Sequence, residues 1–185
     1  MGIVEKVKKF VEEECKKPSS KYGFDPFHSH FFHVAKYAEQ LADEFECDKE
    51  VVLISAWLHD IGSIIHGREN HHETGAKIAE EKLKELNYPS EKIEKVKKCI
   101  MNHRGSVNNE RKSIEEKIIA EADVMSAFDN IGGLFKAAFV YENKSQEEGK
   151  HSVRQKLKRK RNQLHFKKTK EIIKPKYEAA MLLLE

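Results

Sequence analysis

The adjacent residues His59 and Asp60 lie within a strongly apolar segment, Val51–Gly62. At about 100° per residue, the apolar side chains of this segment cover nearly the whole circumference of a helix, which is typical of a buried helix. An unpaired carboxylate in such a place is costly because its charge loses the solvation of water. Asp60 therefore requires a cation, a dense set of hydrogen bonds or a bound metal ion, and the neighbouring imidazole favours the metal ion.

Ten histidines are many for a chain of 185 residues, and most of them fall in four places: residues 28–33, residue 59, residues 66–72 and residue 103. Imidazole and carboxylate ligands, together with water, suit a divalent ion such as manganese, iron, magnesium, zinc or nickel. We therefore expect a divalent metal cofactor, with one ion or two. The histidines expected to be ordinary core or surface residues are His28, His66, His151 and His165.

Helical periodicity separates two candidate ligands on the helix predicted from about residue 28 to about residue 45. The apolar stripe of this helix is defined by Val34, Ala38, Leu41 and Phe45. At about 100° per residue, His30 lies roughly 45° from the centre of the stripe and His33 roughly 105° from it. His30 is thus the better metal ligand, and His33 lies at the edge, toward substrate or water. Asp123 follows Ile119 by one turn and lies close to the buried face of its own helix.

Helical spacing dominates the chain and strand-like alternation is nearly absent, so the fold class is predicted to be all-α. The length suits one domain over residues 1–185. We expect its core at about 28–141 and a basic helical arm at about 150–185.

Local signals predict where particular helices begin and end. One helix, at about 49–60, is predicted to stop at Gly62, since glycine commonly ends helices. Ser113 with Glu116 three residues later resembles a capping box, which predicts the start of another helix. The segment 104–111 between helices is predicted to be a loop.

The net charge of +3 is unevenly distributed. Between Lys150 and Lys176, twelve lysines and arginines stand against one acid, Glu171, whereas the rest of the chain is acidic. Such an arm favours nucleic acid, another polyanion or the phosphates of a substrate as partner. Alternatively, it is a solvated helix face anchored to the body by Leu157, Leu164, Phe166, Ile172 and Ile173.

The sequence also indicates the cellular compartment of the protein. No stretch approaches the ~18 consecutive apolar residues of a membrane span, and the first residues alternate apolar and charged side chains without an apolar signal core. We therefore expect a cytoplasmic protein with no membrane partner. The three cysteines, Cys15, Cys47 and Cys99, are widely separated, which argues against disulfides or a thiolate zinc site and predicts buried or half-buried thiols.

Three segments together resemble the H…HD…D pattern of the HD-domain superfamily of metal-dependent phosphohydrolases. They are HFFHVAKYAEQLA (His30–Ala42), AWLHDIG (Ala56–Gly62) and EADVMSAFDNIGG (Glu121–Gly133). The resemblance spans about residues 28–141 and implies a helical bundle of the HD-domain type. It also implies one divalent metal ion bound by His30, His59, Asp60 and Asp123.

Two further motifs resemble the extra ligand segments of family branches that hold two metal ions. They are HHETGA (His71–Ala76) and IMNHRG (Ile100–Gly105). By that match His71 and His103 would bind a second ion, although His72 could take the place of His71, and in one-metal members these histidines look more suited to phosphate contact. The chain also departs from some relatives, which have a second acid where this sequence has Ser126.

The resemblance implies hydrolysis of phosphate esters or anhydrides, often of nucleotides, by a phosphatase, pyrophosphatase or phosphodiesterase. A metal-activated water would attack phosphorus, and Asp60 would both ligate the ion and orient the water. The side chains expected to offset phosphoryl charge are Lys36, Arg104 and His72. The candidates for protonating the leaving oxygen are His33, His72 and His103.

Two alternatives compete with this reading. The first concerns function: the protein would be a nucleic-acid-binding module that uses the basic residues 150–176, with a structural or vestigial metal site. The second concerns Asp60, which would form a buried salt bridge with Lys36 or Arg104 instead of binding a metal ion. The oligomeric state and the substrate are open at the level of sequence.

Overall fold

The computed structural model describes residues 1–104 and 110–185, and the regular secondary structure in these ranges is helical throughout. The predicted all-α fold class is confirmed. Residues 105–109, which belong to the predicted loop 104–111, lie outside the described residues.

The described residues form ten α-helices and two short π-helices. The α-helices of the first half are α1 (Ile3–Lys16), α2 (Phe32–Ala42), α3 (Lys49–Leu58), α4 (Ile61–His66), α5 (His71–Glu85) and α6 (Ser90–Asn102). Those of the second half are α7 (Ile114–Ser126), α8 (Ile131–Lys136), α9 (Gln146–Asn162) and α10 (Lys167–Leu183). One π-helix, Phe27–Phe31, leads into α2, and the other, Ala137–Tyr141, follows α8.

The chain forms two compact units, residues 1–122 and residues 123–185, and the boundary falls within α7. In the first unit α3 packs against α1, α2 and α6, while α5 packs against α4 and α6. Helix α7 begins with the predicted capping box: the Glu116 amide donates to Ser113 Oγ, and the Ser113 amide donates to Glu116 Oε1, each at 3.2 Å.

Helix α3 is buried on nearly all sides, as its apolar sequence predicted. Its buried residues are Val51, Val52, Ile54, Ser55, Ala56, Trp57 and Leu58. Asp48 caps its amino end by accepting a hydrogen bond from the Val51 amide at 3.2 Å. Helix α3 is therefore held in place by packing and capping, and this fixes the position of the residues at its carboxyl end.

The prediction that one helix covers 49–60 and stops at Gly62 is wrong. Helix α3 ends at Leu58 and α4 begins at Ile61, so the His-Asp pair forms the junction between two helices. The side chain of the aspartate is consequently 26% exposed. The pair thus lies where a buried helix ends rather than inside it, with the His59 ring buried and the Asp60 carboxylate partly exposed.

Gly62 lies inside α4 because two helices approach closely there. A Cβ atom at Gly62 would lie 2.2 Å from the His71 carbonyl oxygen and 2.7 Å from the Gly75 amide nitrogen. A Cβ at Gly75 would in turn lie 3.3 Å from the Gly62 amide nitrogen. The two glycines therefore allow α4 and α5 to cross backbone to backbone, which a larger residue at Gly62 would prevent.

The second unit is built from α8, α9, α10 and the end of α7. Three of the predicted anchors of the basic arm, Leu157, Leu164 and Ile173, are buried, and Phe166 and Ile172 are half-buried. The amino end of α9 carries a complete capping box formed by Ser145 and Glu148. The arm is thus an ordered pair of helices that buries three of its five predicted anchors.

All three cysteines are free thiols, and their burial agrees with the expectation: Cys15 and Cys99 are buried and Cys47 is half-buried. Burial raises the pKa of the Cys15 and Cys99 thiols to about 12. In the described part of the chain, every helix is too short or too polar to cross a membrane.

Candidate metal centre

The carboxylate of Asp60 lies among four imidazole rings. Its Oδ2 atom is 3.4 Å from His30 Nε2 and 3.8 Å from His59 Nε2. Its Oδ1 atom is 3.2 Å from His71 Nε2 and 3.5 Å from His103 Nε2. Each carboxylate oxygen therefore faces one pair of histidines, and each resulting triad could hold a metal ion.

Three of the rings are oriented in the same way by the backbone. The Nδ1 atom of each ring donates to the carbonyl oxygen three residues earlier: His59 to Ala56 at 2.7 Å, His71 to Arg68 at 2.8 Å and His103 to Ile100 at 2.6 Å. This bond places the proton on Nδ1 in the neutral ring, which leaves the Nε2 lone pair directed at Asp60. A backbone carbonyl that accepts from the far nitrogen is the usual support of a metal-bound histidine.

The remaining ring, His30, comes from the π-helix that precedes α2. Its Nε2 atom is 2.9 Å from His59 Nε2. Two ring nitrogens this close need a proton or a cation between them. Donor atoms bound at about 2.0–2.2 Å to one ion lie at separations of this size from each other, and π-helical turns occur frequently at functional sites. The donor set therefore fits a divalent metal ion.

Burial and charge act in opposite directions on Asp60. Desolvation disfavours its charged form, but the neighbouring imidazoles in their protonated form, His59 first and then His103 and His30, lower the pKa of this carboxyl well below its usual range. His59, His71 and His103 are buried, whereas the side chains of His30 and Asp60 are 20% and 26% exposed. The carboxylate is thus ionised, and solvent reaches the centre from the His30 side.

The glycine crossing of α4 and α5 brings the second pair of histidines to Asp60. His71 is the first residue of α5, and its backbone oxygen lies against Gly62 of α4, two residues after Asp60. The motifs HDIG and HHETGA therefore meet in space through their glycines, Gly62 and Gly75.

His103 is held by contacts that the sequence alone did not indicate. Arg111 Nε donates to the Asn102 carbonyl oxygen at 2.8 Å, and Asn102 Nδ2 donates to Glu116 Oε2 at 2.7 Å. Glu116 is itself buried. Arg111 and Glu116 thus fix the end of α6 from which His103 reaches Asp60, so we assign Arg111 a positioning role. Its sequence signal is a positive charge at the end of the predicted loop 104–111.

His72 lies beside the centre and is nearly buried, with 8% of its surface exposed. Its ring is 5.8 Å from that of His71, and its Nδ1 atom has no hydrogen-bond partner among the described residues. Burial is the largest cause that lowers the pKa of His72, and the nearby positive charge of Arg104 acts in the same direction. The ring is therefore neutral at ordinary pH and offers an unused polar atom to a ligand.

The other predicted substrate contacts are less deeply placed. His33 is half-buried one turn after His30, Lys36 is exposed on α2, and Arg104 is half-buried. Neither Lys36 nor Arg104 pairs with Asp60, whose nearest ionisable side chains among the described residues are the four histidines. The alternative of a buried salt bridge to lysine or arginine is therefore wrong.

Asp123 begins the second unit and pairs there with Lys160, whose Nζ donates to Asp123 Oδ2 at 2.9 Å. Its role as a metal ligand stays a prediction. Ser126, which stands where some relatives have an acid, is buried and donates to the Asp123 carbonyl oxygen at 2.8 Å. Asp129 lies in the turn after α7 and pairs with Lys176.

The histidines expected to be ordinary residues are all exposed and belong to neither triad: His28, His66, His151 and His165.

Comparison with protein families gives a match over the region that carries the two triads. The family model described as HD domain matches residues 27–127. The match includes every residue of both triads and ends one residue after Ser126. It excludes the basic arm.

Solved structures share the fold over nearly the whole chain. YpgQ of Bacillus subtilis, in complex with ADP, superposes with a TM-score of 0.72 at 18% identity and covers 97% of this chain and 92% of its own. An HD-superfamily hydrolase of Bacillus thuringiensis gives a TM-score of 0.71, also at 18% identity, with coverages of 97% and 91%. A predicted HD-superfamily hydrolase of an uncultured Thermotogales bacterium is 27% identical, with a TM-score of 0.56 and coverages of 83% and 84%.

A curated relative comes from Picrophilus torridus. It is tRNA (cytidine(56)-2'-O)-methyltransferase, 31% identical over 126 residues. The match spans 60% of this chain but only 35% of that enzyme, so most of the enzyme has no counterpart in the matched segment.

Proposed function

The chain belongs to the HD-domain family, and on this basis we propose that it is a metal-dependent phosphohydrolase acting on a nucleotide or a small phosphorylated metabolite. The observation that carries the proposal is the Asp60 carboxylate, with each oxygen directed at two histidine Nε2 atoms. A divalent ion bound by such donors supplies an activated water at neutral pH and polarises a phosphoryl oxygen. Hydrolysis of a phosphate ester or anhydride is the chemistry that these properties support.

The residues around the centre have separable roles in this proposal. Asp60 orients the attacking water through the carboxylate oxygen nearest to it. His72 donates a hydrogen bond to a phosphoryl oxygen, because its ring is nearly buried and its Nδ1 atom has no hydrogen-bond partner among the described residues. Arg104 and Lys36 offset phosphoryl charge from the more exposed side. His33 is the candidate for the proton donor.

A comparison with solved structures supports the choice of substrate class. The structure of YpgQ was determined with ADP, and its fold matches this chain over nearly the full length of both. A nucleotide is therefore our first choice of substrate. The test is a hydrolysis panel of nucleoside mono-, di- and triphosphates, cyclic nucleotides, pyrophosphate and simple phosphate esters, each with manganese, iron, magnesium, zinc or nickel. Metal-dependent release of phosphate or pyrophosphate, or metal-dependent opening of a cyclic nucleotide to the nucleoside monophosphate, supports the proposal. No hydrolysis of any substrate with any metal contradicts it.

We also propose that the two triads are two metal positions that share Asp60. His71→Ala is then expected to remove about one bound ion per chain, because the triad that contains His71 loses a ligand while the other is complete. Titration of metal-free protein with Mn²⁺, counting bound ions, measures this difference. His66→Ala, which removes an exposed histidine of α4, should bind as many ions as the wild type. Equal numbers of ions in the wild type and His71→Ala would contradict the second position.

Nucleic acid binding is the second candidate function. Two observations favour it: the basic sequence of α9 and α10, and a curated relative that is named for its action on tRNA. If lysines and arginines of the arm contact phosphates, RNA affinity should fall steeply as salt rises, by about 0.7 in log K per unit of log salt for each phosphate contacted in a single strand. Filter binding or fluorescence anisotropy between low and physiological salt measures the slope. Absence of binding at low salt excludes this function.

A further inference from the structure

The second unit carries an apolar groove that the proposed hydrolase does not use. It has a volume of about 640 Å³. One wall is formed by Ile131 and Phe135 of α8 and by Phe139 of the following π-helix, and the other by Ala180, Leu183 and Leu184 at the end of α10. Lys144, Gln146 and Lys150 lie at its polar side.

The wall formed by the π-helix is closely fitted to the unit. The rings of Phe135 and Phe139 stack with their centroids 5.4 Å apart. The Phe139 ring also lies directly on Gly149 of α9, where a Cβ atom would come within 2.2 Å of the ring. The groove is therefore bounded by packed elements.

Exposed apolar side chains lie next to both walls of the groove. Among the described residues seven large hydrophobic side chains are exposed, and five of them lie in two segments that border the groove. These are Phe139, Val140 and Tyr141 (39%, 65% and 53% exposed) and Leu182 and Leu183 (71% and 78% exposed). We call these five residues the apolar rim. Contiguous exposed apolar residues mark interaction surfaces because leaving them in water is unfavourable.

We propose that the groove and the apolar rim form a self-association surface on which a second copy of the chain docks about a two-fold axis. Protruding leucines stand beside an unfilled groove, so the rim of one copy can enter the groove of the other, and the reverse contact follows by symmetry. The shape is therefore self-complementary.

The charges beside the groove also suit a second copy. Lys144 pairs with Glu142 and donates to Ser152 Oγ at 2.7 Å, and Lys150 contacts the Glu185 backbone oxygen. Because Glu142 stands beside Lys144, two copies related by a two-fold axis can exchange this ion pair between them.

The apolar area is close to what a stable dimer needs. Burying a large apolar side chain contributes ~1.5–3 kcal/mol, and each Å² of apolar surface removed from water contributes ~25 cal/mol. The ratio of these values corresponds to about 60–120 Å² removed from water for each rim residue. Five residues from each copy then remove about 600–1,200 Å². With the groove lining and the polar border added, the total reaches the range of about 1,200–2,000 Å² that is typical of specific interfaces.

Analytical ultracentrifugation over a series of protein concentrations tests the proposal. The wild type is expected to dimerise, and Leu182→Glu and Val140→Glu are each expected to weaken self-association at least about tenfold, since each places a charge in an apolar interface. The two substitutions lie on different elements, and circular dichroism identifies a variant that fails to fold. Lys170→Glu is the matched control, because it changes an exposed residue of α10 about 18 Å away along the helix.

A wild-type dimer that is weakened by both rim variants and not by Lys170→Glu supports the proposal. A wild type that is monomeric at every concentration overturns it, as does a dimer that both folded rim variants form as tightly as the wild type. Binding of an anionic amphiphile such as a fatty acid in the groove of a monomeric chain would also overturn it. These outcomes are independent of whether the centre at Asp60 hydrolyses phosphates.

Discussion

Asp60→Ala is expected to lower kcat for phosphate hydrolysis at least about 10³-fold, since each ~1.4 kcal/mol lost from transition-state stabilisation costs a factor of ten and metal catalysis supplies several such increments. The carboxylate faces His30 and His59 with one oxygen and His71 and His103 with the other. Its removal therefore takes one ligand from each triad at once. The measurement is kcat on the best substrate of the panel, at saturating metal.

Asp43→Ala provides the matched control for this variant. Asp43 is another aspartate next to the end of a helix, but its side chain is 61% exposed and pairs with Lys49 at 2.6 Å. A surface ion pair of this kind contributes little to stability, so we expect wild-type kcat. If a folded Asp60→Ala protein turned over substrate at the wild-type rate, the proposed centre would be wrong.

Gly62→Ala is expected to lower the free energy of unfolding by about 3 kcal/mol, at the upper end of what overpacking costs. The added methyl group would meet the His71 carbonyl oxygen at 2.2 Å and the Gly75 amide nitrogen at 2.7 Å. Both are backbone atoms, so α4 and α5 must separate. This separation also moves His71 away from Asp60, and we expect hydrolysis to fall together with stability. Urea denaturation measures the first effect and the activity assay the second.

Gly132→Ala separates this effect from the general consequence of replacing a helical glycine. Gly132 is exposed in α8, and a Cβ atom there meets nothing within 4 Å. Because alanine restricts the unfolded chain and suits a helix, this variant should be equally stable or more stable by about 0.5–1 kcal/mol. Equal stability of Gly62→Ala and the wild type would show that α4 and α5 do not cross as closely as described.

The sequence predicted those features that depend on the spacing of side chains along one helix. The buried character of α3 followed from its apolar residues, and the start of α7 followed from Ser113 and Glu116. Periodicity also favoured His30 over His33, and the structure groups His30 with His59 and Asp60, although His30 lies in the π-helix Phe27–Phe31 and not in the regular α-helix that the argument assumed. In each case the information is local, because a side chain's direction is set by its position on one helix.

Features that depend on the approach of two elements were not predicted. Gly62 indicated the end of a helix, yet it is inside α4 because α5 crosses there. The support of His103 by Arg111 was also missed, since it joins residues on either side of a loop. The motif resemblance did indicate His71 and His103. That both of their Nε2 atoms face the same oxygen of Asp60, Oδ1, is visible only in the structure.

The most direct test of the proposed centre is the metal content of the protein purified without chelator, compared between the wild type and Asp60→Ala by elemental analysis. Because Asp60 is the residue common to both triads, we expect at least about one divalent ion per chain in the wild type and almost none in the folded variant. Equal, stoichiometric metal in the two proteins would contradict the account, since the ion would then be bound without the carboxylate on which both triads depend.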